Sequence, residues 1–275
     1  MSLDAAERAV RDGDLDLALS TLQEQIRKAP ERADLRVFLF QLLCVQGQWG
    51  RALTQLDVAA EMDASTLAMA QMYREAIRCE QLRADVFAGH RSPLVFGEPE
   101  PWLAWLIEAL PSDPSRSDQA ADLRARAFDA APPSPGSVDG QPFAWIADAD
   151  MRLGPVCEAV INGKYYWIPY ARLARIDIEP PADLRDVVWM PALFRFENGG
   201  EVVGAIPTRY PGSEAADDSH IRLARKTTWR EEGPDVFTGL GQRVIATDAG
   251  EHPLMDVRSI EIGAAAAEGA GEPGA

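Results

Sequence analysis

Cysteine, histidine and lysine are scarce in this chain of 275 residues, which contains three of each. The cysteines and histidines stand far apart, and none has the Cys-x-x-Cys or His-x-x-x-His spacing that holds a metal ion. We therefore expect no metal site. Three widely separated cysteines in apolar surroundings are typical of buried thiols in a reducing compartment. These residues are Cys44, Cys79 and Cys157, and His90, His220 and His252.

Long apolar runs and an excess of basic charge are also missing. No stretch approaches the ~20 apolar residues of a membrane-spanning helix. The first residues, MSLD, lack the basic start and apolar stretch of a signal peptide. The formal net charge is −16, and both halves of the chain share the acidic excess. Because phosphate backbones attract basic proteins, we expect a cytoplasmic protein that binds neither nucleic acid nor membranes.

A repeat of 34 residues is present near the N-terminus. The strings GDLDLALSTLQEQIRKAP and GQWGRALTQLDVAAEMDA begin at Gly13 and Gly47 and align without a gap. This period is the length of the tetratricopeptide unit, a pair of antiparallel helices. Each glycine is expected at the turn inside a pair, and Ala18 and Ala52 where neighbouring helices approach closely. Pro30 ends the first unit, because proline cannot continue a helix.

The repeat and the apolar periodicity predict a helical first half. Predicted helices cover residues 3–12, 15–28, 33–46, 49–62, 65–80, 101–110 and 117–130, with 84–89 as a shorter continuation of the third unit. Residues 132–139 have the proline, serine and glycine content of a linker. The predicted domains are a helical-repeat domain at 1–131, this linker at 132–139, a β-rich domain at 140–262 and a disordered tail at 263–275.

Short segments rich in β-branched and aromatic residues follow the linker. Predicted strands cover residues 143–147, 156–161, 164–168, 187–196, 202–206, 222–229, 242–246 and 257–262. Asn162-Gly163 is the strongest short signal for a hairpin turn, and Asn198-Gly199-Gly200 marks a second turn. So many short strands predict a small barrel or sandwich. The expected fold class is therefore α+β, with tetratricopeptide-like helices followed by a small barrel-like β-rich domain.

Recognisable catalytic motifs are absent from the sequence. Gly239-Leu240-Gly241 lacks the Lys-Ser/Thr ending of a nucleotide-binding loop and is expected to form a turn. Cys157, His220 and Asp248 could meet only through folding, and no nucleophile-elbow motif surrounds them. The sequence therefore predicts a protein that is not an enzyme and has no cofactor. An enzyme with its site in the β-rich domain is the least favoured alternative.

Two surfaces are candidates for binding a partner protein. The first helix of each repeat pair lines the concave side of a stacked array, where grooves bind extended peptides or amphipathic helices. The predicted groove consists of Leu3, Glu7, Val10, Arg11, Asp34, Val37, Gln41, Cys44, Ala68, Gln71, Glu75 and Arg78. A possible second contact patch consists of Trp189, Arg195, Arg209, Arg243 and Asp248. A structural ion pair between Arg243 and Asp248 is the simpler alternative for two of these.

The chain also resembles one family of accessory proteins. The strings GDLDLALSTLQEQIRKAP, FLFQLLCVQGQW, DVVWMPALFRF, AIPTRYPGSE and GLGQRVIATDAGE are similar to those of the ImpE-type proteins of bacterial type VI secretion, also called TagJ. The resemblance covers residues 5–262. It implies a protein without catalytic activity that associates with the small subunit of the contractile sheath, through a helix near that subunit's N-terminus. It also implies a link to the AAA+ ATPase that disassembles the contracted sheath.

The leading hypothesis from the sequence is an adaptor whose repeat groove holds a helix of the sheath small subunit. In this hypothesis the β-rich domain stabilises the repeats or supplies a second contact. The alternative is a general scaffold or chaperone-like protein that holds an unassembled subunit. An adaptor should remain on assembled sheath, whereas a holding protein should leave it.

Overall fold

The computed structural model describes residues 4–110, 117–233 and 236–263 of the chain. Its first part consists of helices that turn back on one another, and a single-turn helix, α8, lies in the second part. The helices are α1 Asp4–Arg11, α2 Leu15–Lys28, α3 Ala33–Val45, α4 Trp49–Met62, α5 Leu67–Phe87, α6 Pro101–Glu108, α7 Ser117–Ala130 and α8 Ser219–Arg222. Among the described residues, none of these helices is both long enough and apolar enough to cross a membrane.

The two glycines of the repeat form the turns between paired helices, as predicted. Gly13 separates α1 from α2 with a φ of +81°, and Gly47 separates α3 from α4 with a φ of +67°. Glycine adopts such angles without the steric cost that a Cβ atom brings. Ala18 and Ala52 are fully buried, so a small side chain lies where the helices pack together. The tetratricopeptide-like interpretation of the first two units is therefore confirmed.

The third unit consists of one long helix instead of a pair. α5 continues to Phe87, beyond the predicted end at residue 80, and takes in most of the predicted continuation at 84–89. Gln81 stands where the first two units have glycine, so the chain lacks a residue suited to a turn there. The helix ends instead just before Gly89, which has a φ of +74°.

Short strands, all but one of them in the second half of the chain, form three sheets among the described residues. The strands are β1 Leu94–Val95, β2 Gly136–Val138, β3 Gln141–Phe143, β4 Ile146–Asp148, β5 Val156–Ile161, β6 Lys164–Pro169, β7 Leu173–Ile178, β8 Trp189–Phe196, β9 Glu201–Pro207, β10 Thr227–Gly233, β11 Val236–Gly241, β12 Val244–Thr247, β13 Gly250–Pro253 and β14 Ser259–Ile262. The largest sheet has the order β1-β6-β5-β9-β8-β7-β14-β2-β3. β12 lies between β13 and β4 in a second sheet, and β10 and β11 form a hairpin. The α+β fold class is confirmed.

Both predicted turns are present, and one predicted strand is wrong. Asn162 and Gly163 join β5 to β6 with φ angles of +49° and +71°, which fits the type I′ hairpin turn that an Asn-Gly pair favours. Residues 198–200 likewise join β8 to β9. Residues 222–229 do not form one strand, because α8 ends at residue 222 and β10 begins at residue 227.

The predicted turn at Gly239-Leu240-Gly241 belongs to strand β11. The physical reason for its glycine content is packing against an aromatic ring. A Cβ atom placed on Gly239 would lie 2.2 Å from a ring carbon of Tyr210. Gly239 therefore leaves room for the ring of Tyr210, and strand β11 passes directly beside this ring.

The helical and β-rich parts share hydrophobic cores. Val188, Trp189 and Leu223 belong to the cluster formed by α1–α5. Side chains of α5, α6 and α7 form another cluster with Val156 and Trp167 of the large sheet. A third cluster consists almost wholly of residues from the β-rich part. The helices are therefore covered on one side by residues that lie far along the chain.

The predicted linker at 132–139 is partly a strand. Gly136–Val138 forms β2, which pairs with β3 and β14, and Val138 is buried. The linker-like composition therefore conceals a short strand of the large sheet, next to its edge strand β3. The division of the chain at residue 131 stays a prediction. Of the predicted tail at 263–275, only Gly263 lies among the described residues.

Candidate functional site

The inner side of the repeats is largely covered by the second half of the chain. Val10, Gln41 and Cys44, three of the predicted groove residues, are buried. The 3-10 turn Leu184–Val187 packs against α3. The structure therefore corrects the prediction of an open groove at these three residues. Leu3, also predicted for the groove, lies outside the described residues.

An aromatic contact helps to close this side of the repeats. The ring of Trp189, at the start of β8, lies 5.5 Å from that of Tyr73 in α5 and 6.1 Å from that of Trp49 in α4. The guanidinium group of Arg185 stacks over the Tyr73 ring at 4.9 Å. Trp189 is only 1% exposed, so the repeats and β8 form one packed unit.

Arg209 caps the C-terminal end of α3. Its two terminal guanidinium nitrogens donate to the backbone carbonyl oxygens of Val45 and Cys44, at 2.7 and 3.3 Å. The last carbonyl groups of a helix have no partner within the helix, and a positive charge there is favoured by the helix dipole. Arg209 is 4% exposed. It therefore fixes the second half of the chain to the second repeat.

Arg225 caps α1 in the same way. It donates to the carbonyl oxygens of Arg11 and Val10, at 2.8 and 3.0 Å. These two residues precede the acceptors of Arg209 by 34 positions, so the two arginines contact equivalent sites in consecutive repeats. The second half of the chain also contacts the equivalent turn glycine of each repeat. Glu214 packs over Gly47, and His220 lies beside Gly13.

An open groove remains between α5 and the exposed face of the large sheet. We call it the α5 groove; its volume is about 1040 Å³. The residues that define its walls and floor are Ala68, Gln71, Met72 and Glu75 of α5, and Pro191, Leu193 and Val203 of β8 and β9. Three predicted groove residues thus line it: Ala68, Gln71 and Glu75. Five other predicted groove residues lie at or near the surface but outside the α5 groove: Glu7, Arg11, Asp34, Val37 and Arg78.

The walls of the α5 groove expose large apolar side chains. Val203 is 71% exposed and Met72 is 57% exposed. Isolated exposed apolar residues are ordinary, but here two of them line the same concavity. Clustering of this kind is typical of binding surfaces.

Acidic residues predominate among the charged groups of the α5 groove. Glu75, Asp177 and Glu179 line it, and Arg258 is the one basic residue among its described lining residues. The guanidinium group of Arg258 donates to the carbonyl oxygens of Val257 and Met255, at 2.6 and 2.8 Å. Arg78 pairs with Glu75 at 2.6 Å and Arg175 pairs with Asp177 at 2.7 Å, so the rim combines ion pairs with the carboxylate of Glu179 around an apolar floor.

The predicted second contact patch does not form a surface. Trp189, Arg209 and Arg243 are almost wholly buried, so a partner cannot reach them together. Arg243 pairs with Asp148 and Glu158, and the alternative pair with Asp248 is therefore wrong as well. The carboxylate of Asp248 accepts from the backbone N–H of Ala144 at 2.7 Å. Arg195 stays partly exposed and pairs with Glu201 at 2.7 Å and with Asp177 at 3.6 Å.

A buried ion-pair network joins α5 to the β-rich half. Arg83 donates to both carboxylate oxygens of Glu158 at 2.6 and 3.0 Å, and Arg243 bridges Glu158 and Asp148. Burial alone would raise the pKa of Glu158, but Arg83 and Arg243 lower it to about 2. Burial raises the pKa of Asp148 to about 6, although Arg243 opposes the rise. Because these buried charges are mutually paired, the network holds the two halves together.

The candidate nucleophile is not activated. Burial raises the pKa of the Cys157 thiol to about 12, so the reactive thiolate is scarce at neutral pH. His220 lies beside Gly13 and Asp248 binds Ala144, so the three candidate residues have separate surroundings. Within the described ranges, no three histidine, cysteine, aspartate or glutamate side chains are grouped so that they could hold a metal ion.

Sequence reasoning missed Met72, Leu193 and Val203 as groove residues. A signal for Val203 does exist in the string EVVGAIP. Neighbouring side chains of a strand point to opposite faces, so one of the two consecutive valines at 202 and 203 must leave the core. The outward face of β9 then has an apolar residue where a polar one is usual.

Three comparisons with known proteins agree with this architecture. The sequence model of the family described as ImpE protein matches residues 140–261. The type VI secretion system accessory component TagJ of Pseudomonas aeruginosa is 50% identical over 258 residues, which cover 94% of this chain and 90% of that protein. The crystal structure of protein VPA1032 from Vibrio parahaemolyticus matches with a TM-score of 0.85 at 25% identity, over 94% of this chain and 97% of that one. The chain therefore belongs to the ImpE/TagJ family of type VI secretion accessory proteins.

Proposed function

We propose that this chain is a non-enzymatic adaptor of a type VI secretion system that binds the small subunit of the contractile sheath. Recognition uses a helix near the N-terminus of that subunit. In this role the adaptor assists the AAA+ ATPase that disassembles contracted sheath. The relative described as a type VI accessory component supports the role, since its identity of 50% extends over nearly the whole chain.

The α5 groove is the observation on which this function rests. It is apolar along its floor and walled by α5 on one side, as expected of a groove that accepts the apolar face of a helix. It also includes Ala68, Gln71 and Glu75, which the repeat pattern assigns to the partner-facing side of the third unit. The proposed contact site of this adaptor is thus the part of the predicted groove that forms a concavity beside the large sheet.

The cytoplasm is the compartment in which this role is carried out. Cys44, Cys79 and Cys157 are free and buried, which agrees with a reducing environment. The negative net charge agrees with a protein partner and disfavours nucleic acid and anionic membranes.

A titration of a labelled peptide tests the proposed function. The peptide comprises the N-terminal helix of the cognate sheath small subunit, and fluorescence anisotropy follows its binding to the full-length chain. We expect saturable binding that Met72→Glu weakens about tenfold, because a charge replaces an apolar wall of the groove. Leu17→Glu is the matched control, since Leu17 is 53% exposed on α2 and outside the groove.

The same titration can also contradict the proposed adaptor function. If neither the peptide nor the complete sheath subunit binds the full-length chain, the adaptor function is contradicted. Co-sedimentation with assembled sheath then separates an adaptor from a holding protein. An adaptor sediments with the sheath, whereas a holding protein binds the free subunit and stays in the supernatant.

A further inference from the structure

We infer that the α5 groove selects a helix with a positively charged flank beside its apolar face. The inference rests on the proposed function and deepens it, because it names the chemistry by which the partner helix is recognised. Neither the family name nor the description of the relatives specifies that chemistry. Its basis is the hydrogen bonding of the sheet, the exposed side chains and the charges along the rim.

The position of β8 and β9 within the sheet excludes an added strand in the groove. β8 pairs with β7 and with β9, and β9 pairs with β8 and with β5. Both strands lie in the interior of the sheet order, so a peptide cannot extend the sheet there without displacing a neighbouring strand. An occupant must lie on the face of the sheet, and a helix is the element that satisfies its own backbone while doing so.

The rest of the same sheet face shows how such a helix would fit. Over β5 and β6 the face is covered by α5, α6 and α7, which form a cluster with Trp167 and Val160. Next to α5, over β8 and β9, the face is left open at Leu193 and Val203. An α-helix with side chains is about 10–12 Å wide, and the groove volume of about 1040 Å³ holds roughly two turns of such a helix. The partner therefore extends an existing helical layer by one helix.

The charges around the groove determine which sign of charge is favoured on the partner helix. Three carboxylates, those of Glu75, Asp177 and Glu179, line the groove against one guanidinium group, that of Arg258. Arg78 pairs with Glu75 and Arg175 pairs with Asp177, so Glu179 is the rim carboxylate best placed to meet a cation of the partner. The whole chain has a net charge of −16, so the long-range field also attracts a cationic segment. Lysine or arginine beside the apolar stripe complements this rim, whereas glutamate or aspartate there would be repelled.

Two synthetic peptides test the inference with the full-length chain. Both are 18-residue amphipathic helices with the same leucine and alanine stripe, one with lysine and the other with glutamate on the flanks. We expect the lysine peptide to bind at least tenfold more tightly at low salt, with the difference shrinking as salt screens the charges. The cognate sheath helix is measured in parallel by the same anisotropy assay.

Substitutions at two exposed groove residues separate apolar contact from charge. Val203→Ser should weaken both peptides by about tenfold, because the apolar contact is lost. Glu179→Lys should weaken the lysine peptide about threefold and tighten the glutamate peptide. Leu17→Ser and Glu251→Lys are the controls, since they make the same chemical changes at residues outside the groove and should alter neither affinity.

Each outcome tests either the charge selection or the location of the bound helix. Equal binding of the two peptides, or no exchange of preference with Glu179→Lys, overturns the charge selection. Unchanged binding with Val203→Ser overturns the assignment of the helix to this groove. If the cognate sheath helix still binds in either case, the adaptor role stands, and the failure concerns only the charge selection or the contact site.

Discussion

Arg209 and Arg225 contact the same backbone positions in two successive helical repeats. Arg209 donates to the carbonyl oxygens at the end of α3, and Arg225 donates to those at the end of α1, 34 residues earlier. The repeat in sequence is thus matched by a pair of contacts from a segment that is not itself repeated. Through these two contacts, the β-rich half packs against both helical repeats.

Removing these arginines should cost different amounts of stability. Arg209→Ala should lower the free energy of unfolding by about 3 kcal/mol, because it leaves the carbonyl oxygen of buried Val45 without a donor and removes the cation at the end of α3. Arg225 is exposed, so water can replace it, and Arg225→Ala should cost about 1 kcal/mol. Urea unfolding followed by circular dichroism measures both values. Arg51→Ala on α4 is the exposed control, and equal losses for all three variants would contradict the capping role.

The helical domain should depend on the rest of the chain. A fragment of residues 1–131 lacks Val188, Trp189 and Leu223, which belong to the core of the repeats, and it lacks both capping arginines. We expect it to melt well below the full-length protein, by more than about 10 °C, since several kcal/mol of apolar burial is lost. A chain ending at Gly263 is the control and should melt with the full-length protein. An unchanged melting temperature of the fragment would show that the repeats fold independently.

The buried carboxylate of Glu158 should make stability depend on pH. Its pKa is lowered to about 2 in the folded protein from an ordinary value of 4.5. The stability that it contributes is therefore complete above pH 4.5 and is lost as the pH falls toward 2. Glu158→Gln should be less stable than the wild type by about 3 kcal/mol at pH 7. This difference should shrink between pH 4.5 and pH 2.5, as urea midpoints can measure; a constant difference would refute the ionised pairing.

Gly239 should be intolerant of any side chain. Gly239→Ala should destabilise the protein by about 2 kcal/mol, because the new methyl group collides with the ring of Tyr210. Gly233→Ala, at the end of β10 in the same hairpin, is the matched control, since a Cβ there meets no atom within 4 Å. Thermal unfolding of the two variants provides the comparison. Similar melting temperatures would mean that Tyr210 moves aside without cost.

The sequence predicts local structure here far better than it predicts long-range contacts. The glycines at positions 13 and 47 and the Asn162-Gly163 pair carry their conformational requirement within a few residues, so the helices and the hairpin follow from them. Arg243, in contrast, has acceptable partners at every distance along the chain. Asp248 lies close in sequence, but the fold places Asp148 and Glu158 beside the arginine. Only the folded topology decides among such carboxylates.

For the candidate site too, the sequence predicts the local part but not the long-range contacts. Ala68, Gln71 and Glu75 follow from the repeat register, because equivalent positions of each unit share a face. The burial of Val10, Gln41 and Cys44 does not follow from it, since the covering segments belong to the other half of the chain. Periodicity identifies the side of a helix that is not polar, but it does not reveal whether that side meets a partner or the same polypeptide.

Arrays of helical repeats ordinarily gain or lose units with little effect on the remainder, because each unit contacts only its neighbours. The two capping arginines remove that freedom in this protein. Arg209 and Arg225 are 16 residues apart in sequence and contact the second and the first unit respectively, so deletion of either unit would remove the helix end that one of the two arginines caps. The number of repeats is therefore set from outside the array, by a segment that begins 164 residues beyond the helix that it caps.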